Sequence, residues 1–157
     1  MKSNLLKPFL PSILLILLSI TSKAQVSKDP NVLLGLKTPW TSSELIEPSA
    51  LAADLKTNST TTPLIYNIGA VENIKGARHI GSASNAENLE KLRSTVKDLP
   101  KNTTIVIYCG CCPFSKCPNV SPAYLELKKL GFSNIKVLDL ATNLKTDWID
   151  KGYPLGK

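Results

Sequence analysis

From Trp40 onward, apolar positions recur in two alternating rhythms. Short unbroken apolar runs predict buried strands. Between them, apolar residues return every third or fourth position and predict amphipathic helices. Ser43–Ile46 reads as a short strand. Pro48 suits the first turn of the helix that follows, where its missing N–H costs nothing. Leu51, Ala52 and Leu55 give that helix an apolar face. Lys56–Thr62 is a Ser/Thr/Asn loop. Pro63–Gly69 predicts a buried strand stopped by glycine, and Gly76–Gly81 a very short one. Ser84 with Glu87 fits a capping box, and Leu89, Leu92, Val96 and Leu99 keep helical spacing as far as Pro100. Ile105–Tyr108 is the strongest strand, rich in the β-branched residues of a strand covered on both faces. Ser121-Pro122 starts another helix, with Ala123, Leu127 and Leu130 inward and Gly131 as the stop. Ile135–Leu140 predicts the next strand. A last helix turns Leu144 and Trp148 inward and ends near Gly152 and Pro154.

Strand and helix alternate throughout. The expectation is therefore one α/β domain over residues 40–157, with a central parallel sheet of about five strands and helices on both faces. Ligands of such sheets sit beyond the carboxyl ends of the strands. Ile105–Tyr108 runs into Cys109 at such an end.

The start of the chain follows other rules. Lys2 and Lys7 precede the apolar run Phe9–Ile20, and Ser22-Lys23-Ala24 offers small residues at a cleavage site. Residues 1–24 are expected to be a cleaved signal peptide. The run is shorter than the ~20 residues of a membrane span, so membrane contact is expected only if this segment stays uncleaved. Residues 25–39 read as a polar tail, and the protein is expected to be periplasmic or secreted. Lys2, Lys7 and Lys23 contribute to the formal charge of +7, and every acid lies beyond them. What remains is mildly basic and has no Lys/Arg cluster, so nucleic acid is not an expected partner.

An oxidising compartment makes cysteine placement informative. The chain has 4 cysteines, all within Cys109–Cys117. A cluster this tight cannot staple distant segments, so it is a local site. A strand end beside a helix start lowers a thiol pKa and favours the nucleophilic thiolate, which makes Cys109 the candidate nucleophile. The competing reading is a buried small hydrophobe that closes the strand. Cys111, Cys112 and Cys117 admit three readings. They are resolving or relay thiols for chemistry on Cys109. Alternatively, Cys117 pairs with one of the adjacent two in a structural disulfide. Alternatively, Cys109, Cys111, Cys112 and Cys117 hold a soft metal such as Cu(I) or Zn(II). Gly110, Lys116 and Asn119 complete the candidate substrate-binding loop, with Lys116 its only cation. Arg78 and Glu72 read as solvated rim charges, and Trp148 as a core anchor. Nothing calls for an organic cofactor.

An ordered set of residues carries a resemblance. It runs Gly76-Ala77 with His79-Ile80, then Ile105–Cys109, then Ala123 and Leu127 ahead of Gly131-Phe132. Asn134-Ile135, Val137-Leu138, and Trp148 with Gly152-Tyr153-Pro154 complete it. Over residues 40–155 the chain resembles the rhodanese-like (sulfurtransferase) superfamily. The resemblance implies that Cys109 takes a sulfane sulfur from thiosulfate or polysulfide, carries it as a persulfide among loop amides, and passes it to an acceptor. The implied partners are a small sulfur-containing substrate or a partner thiol protein. His79 would order its turn. Four departures stand out. The segment after Cys109 is longer and carries the extra cysteines. It has no arginine, which counts against the phosphatases that share the fold. Asn67 and Gly69 stand where the family has Asp and Arg, and Ala141-Thr142 replaces Gly-Gly. These departures keep open a catalytically inactive domain that binds a partner.

Overall fold

The computed structural model describes residues 38–57 and 62–156. The expected signal peptide, most of the polar tail, and 58–61 of the Ser/Thr/Asn loop lie outside the described residues.

Five parallel strands make one sheet: β1 Leu45–Ile46, β2 Leu64–Asn67, β3 Ala77–His79, β4 Ile105–Tyr108 and β5 Ile135–Leu138. Their order is β1-β5-β4-β2-β3, and every pairing is parallel. β4 is central and buried at all four positions. This is what its unbroken β-branched run requires, since both faces must be covered.

The helices are α1 Pro48–Thr57, α2 Ala86–Val96 and α3 Val120–Lys129. Alternation along β4 divides the core. Ile105 and Ile107 join Leu92 and Val96 of α2 and Ala123 and Leu127 of α3. Val106 and Tyr108 join Leu51, Ala52 and Leu55 of α1, with Leu144 and Trp148. The protein is thus a single α/β domain with helices on both faces of a parallel sheet, as the alternation predicts.

Several boundaries differ from the sequence expectation. Asn85, not Ser84, caps α2: its side chain accepts from Glu87 N–H at 2.8 Å. α2 ends at Val96, short of Leu99. α3 begins at Val120 with Asn119 at the cap, two residues before Pro122. That proline still falls in the first turn, where no intrahelical partner needs its N–H. β5 stops at Leu138, short of Leu140.

The expected last helix is a π-helical turn, Lys145–Ile149. Asp150 N–H reaches back to Lys145 O at 2.8 Å, and Tyr153 N–H to Trp148 O at 3.2 Å. The wide turn still buries Leu144 and Trp148 completely. The Trp148 indole donates to Pro154 O at 3.1 Å and meets the Tyr153 ring edge-on at 5.2 Å.

Trp148→Ala is expected to destabilise the domain by about 3–5 kcal/mol, because the cavity left beside α1 cannot collapse. Urea unfolding of variant and parent measures it.

Candidate active site

Cys109 is the first residue beyond β4 and is only 2% exposed. Ile68 N–H donates to Tyr108 O at 2.9 Å, which brings the end of β2 against it. A Cβ on Gly69 would lie 2.5 Å from Cys109 O and 2.8 Å from its Sγ, so only glycine permits this approach. Gly110 then turns the chain at φ +82°, a conformation that L side chains rarely adopt. Its carbonyl accepts from Leu144 N–H at 2.9 Å.

The longer loop is folded down onto the domain. Phe114 N–H donates to Leu140 O at 3.0 Å. The Phe114 ring lies 6.1 Å from that of Trp40, which packs edge-on against Tyr124. A single 3₁₀ turn, Phe114–Lys116, follows. It delivers Cys117 to a buried position ahead of α3.

The cysteines converge unevenly. The Sγ atoms of Cys109, Cys111 and Cys117 all lie within 4.8 Å of one another. Cys109 and Cys111 are 3.2 Å apart. Cys112 is 3.4 Å from Cys111 but stands outside that triad. All four are free thiols. Cys109 and Cys117 are buried, Cys112 is half-buried and Cys111 is exposed.

Asn119 organises the centre. It is buried, and its Nδ2 donates to Cys109 Sγ at 3.2 Å. Its Oδ1 accepts from Ser84 N–H at 2.9 Å. The side chain makes no capping bond to its own helix, although asparagine is a preferred cap.

The donors around Cys109 determine its ionisation. A hydrogen bond from the Cys117 thiol lowers its pKa most; burial works the other way; Asn119, the Cys111 N–H and the Cys111 thiol lower it further. The net result holds Cys109 at about 5. Burial, together with the hydrogen bond to Cys109, pushes Cys111 up to about 12. Cys117 is pushed up as well, first by its hydrogen bond to Cys109 and then by burial. The sulfurs are close enough to titrate together, and the donors around Cys109 lower its pKa while those of Cys111 and Cys117 are raised. Among the described residues, the groups that lower the Cys109 pKa are neutral, and no side-chain cation is one of them.

The remaining residues singled out in the sequence fall elsewhere. Gly110 is buried in the turn, and Lys116 is exposed at the end of the 3₁₀ turn. Arg78, His79 and Glu72 are exposed. His79 Nδ1 lies 3.1 Å from Asn67 Nδ2.

The sequence pattern did not reveal the part played by Asn67. This fully buried residue gathers the segment after β2. Its Oδ1 accepts from Gly69 N–H at 3.0 Å, and its Nδ2 donates to Val71 O at 2.7 Å. The same Nδ2 lies 3.0 Å from Asn73 Oδ1. Tyr108 secures this segment from β4, with its hydroxyl donating to Glu72 O at 3.0 Å and accepting from Ile74 N–H at 3.0 Å. The one signal available was a polar residue closing an otherwise apolar strand.

The family model of the rhodanese-like domain matches residues 52–143, more than half of the chain, and the chain belongs to that family. The matched stretch contains β2 to β5, all four cysteines, Asn67 and Asn119. A search of curated proteins found no match.

Titrating the ultraviolet thiolate absorbance of reduced protein is expected to show an inflection at pH about 5. An ordinary thiol would ionise near ~8.5. The thiolate persists above the inflection and is lost as pH falls through it. Cys109→Ser removes the step. Asn119→Ala moves it upward, because one donor to the thiolate is gone.

Proposed function

We propose that this rhodanese-like domain is an exported sulfurtransferase that works through a persulfide on Cys109. The observation that carries the reading is the surroundings of Cys109 Sγ: Asn119 Nδ2 donates to it at 3.2 Å, and the Cys111 and Cys117 sulfurs lie within 4.8 Å of it. A thiolate so held is the dominant species at neutral pH, and the thiolate is the attacking form.

The reaction runs in two displacements. Cys109 Sγ attacks the outer sulfur of a sulfane donor such as thiosulfate or polysulfide. The donor's sulfur–sulfur bond breaks, and sulfite or a shortened polysulfide leaves. A thiophilic acceptor then takes the outer sulfur, and Cys109 departs as thiolate. The same donors that stabilise the thiolate favour its departure, because acidic thiols are better leaving groups. Gly110, Lys116 and Asn119 belong to the loop that receives the donor. Asn119 touches the reacting sulfur, and Lys116 supplies the loop's positive charge at its exposed rim.

The absent loop arginine is consistent with this chemistry. A bidentate guanidinium suits a phosphate or another oxyanion. Neutral donors stabilise a thiolate or persulfide without selecting for a highly charged donor. Small sulfur compounds or a partner thiol protein are the proposed partners, in the periplasm or outside the cell.

A second reading has its own observation. Three sulfurs within 4.8 Å of one another suit a soft metal ion. Cys109, Cys111 and Cys117 would hold it, and Cys112 would not. Titrating the reduced protein anaerobically with Cu(I) tests this. Binding of one equivalent that is lost in Cys117→Ser and kept in Cys112→Ser supports a metal carrier. Absence of sulfur-to-metal charge-transfer absorption argues against it.

For the sulfurtransferase, reduced protein mixed with thiosulfate or polysulfide is expected to gain about 32 Da, one sulfur atom, in intact mass. Cys109→Ser is expected to gain nothing. A wild-type protein that takes up no sulfur, or a variant that still does, overturns the assignment.

A further inference from the structure

Cys109 sits where a small donor can reach it and a protein cannot. It is 2% exposed. Gly69 presses on its Sγ, and Leu144 and Val71 close over the Gly110 turn. A thiol carried on another protein arrives with its own backbone and needs an opening wider than this. Cys111, by contrast, is exposed, and its Sγ lies 3.2 Å from that of Cys109. The outer sulfur of a persulfide extends about 2 Å from Sγ, within reach of that neighbour.

We propose that sulfur loaded on Cys109 passes to Cys111, and that the exposed Cys111 hands it to a cysteine thiol of a partner protein. The proposal rests on the persulfide reading of Cys109 and adds the exit route and the class of acceptor.

The transfer balances without an oxidant or a reductant. Cys111 Sγ attacks the outer sulfur of the Cys109 persulfide. The bond from that sulfur to Cys109 breaks, and a bond to Cys111 forms. Cys109 leaves as thiolate, and the Cys111 proton ends on the transferred sulfur. The partner thiolate then repeats the displacement on Cys111. Direction follows from the surroundings of the two sulfurs: Cys109 leaves into the donors of Cys117 and Asn119, and the more acidic thiol is the better leaving group. Cys117 is close enough to compete for the sulfur but is buried, so sulfur passed to it would stay inside. A relay thiol has a purpose only when the final acceptor is too large to reach Cys109. The acceptor is therefore a macromolecular thiol.

Reduced full-length protein is charged with thiosulfate, quenched with iodoacetamide and digested with trypsin. Sulfite release reports loading, and fragmentation of the peptide 102–116, which carries Cys109, Cys111 and Cys112, reports where the extra sulfur resides. Wild type is expected to carry it mainly on Cys111, and Cys111→Ser on Cys109. Cys109→Ser is expected to carry none on either. Cys111→Ser is expected still to release sulfite, yet to pass sulfur to reduced thioredoxin at least about tenfold more slowly once the rate is normalised to the sulfite released. Sulfur that stays on Cys109 in wild type overturns the relay, as does undiminished transfer by Cys111→Ser, and either leaves the persulfide reading standing. Failure to gain about 32 Da from either thiosulfate or polysulfide overturns the persulfide reading and the relay with it.

Discussion

The carboxamide of Asn119 ties three segments to one sulfur. Its Nδ2 donates to Cys109 at the end of β4. Its Oδ1 holds the Ser84 N–H ahead of α2. Asn119 itself stands at the start of α3. A buried amide left unpaired costs about 1–3 kcal/mol, so the side chain maintains both contacts or the region rearranges. The lead-ins of both helices on one face of the sheet are thereby fixed relative to the sulfur at the sheet's centre.

A buried negative charge is costly unless it is hydrogen-bonded. Cys109 is buried and acidic at once because its donors offset that cost. Gly69 allows β2 to approach, and Gly110 turns the chain so that the Cys111 amide faces back to the sulfur. The loop extension brings the Cys117 sulfur within 4.8 Å of Cys109. It does so because Phe114 packs on Trp40 and its amide binds Leu140, which anchors the loop to the core. The neighbouring sulfur, Cys111, is exposed and more basic. The proposed relay gives loading and delivery to these two different atoms.

Much of the fold was legible because hydrophobic period is local. The β-branched run Ile105–Tyr108 is the central strand, and the spacing of Leu51, Ala52 and Leu55 marks the buried face of α1. Helix starts were less legible, because adjacent residues compete to cap. Ser84 is a good cap by type, but its N–H is held by Asn119, and Asn85 takes the position. The spacing of Leu144 and Trp148 fits an α- or a π-helical turn equally. Within the site, the position of Cys109 followed from the strand it ends. Which cysteines converge on it did not. That depends on Phe114 meeting Trp40, a contact between residues distant in sequence. Asn67 and Asn119 carry no local pattern, because their partners come from other segments.

At Cys109, hydrogen bonding outweighs burial and makes the thiol acidic. Timed alkylation of the reduced protein at pH ~6, where an ordinary thiol is almost wholly protonated, tests it directly by the order in which the four cysteines are modified. The account predicts that buried Cys109 is carboxamidomethylated first. Modification of exposed Cys111 or Cys112 ahead of an unreacted Cys109 would contradict it.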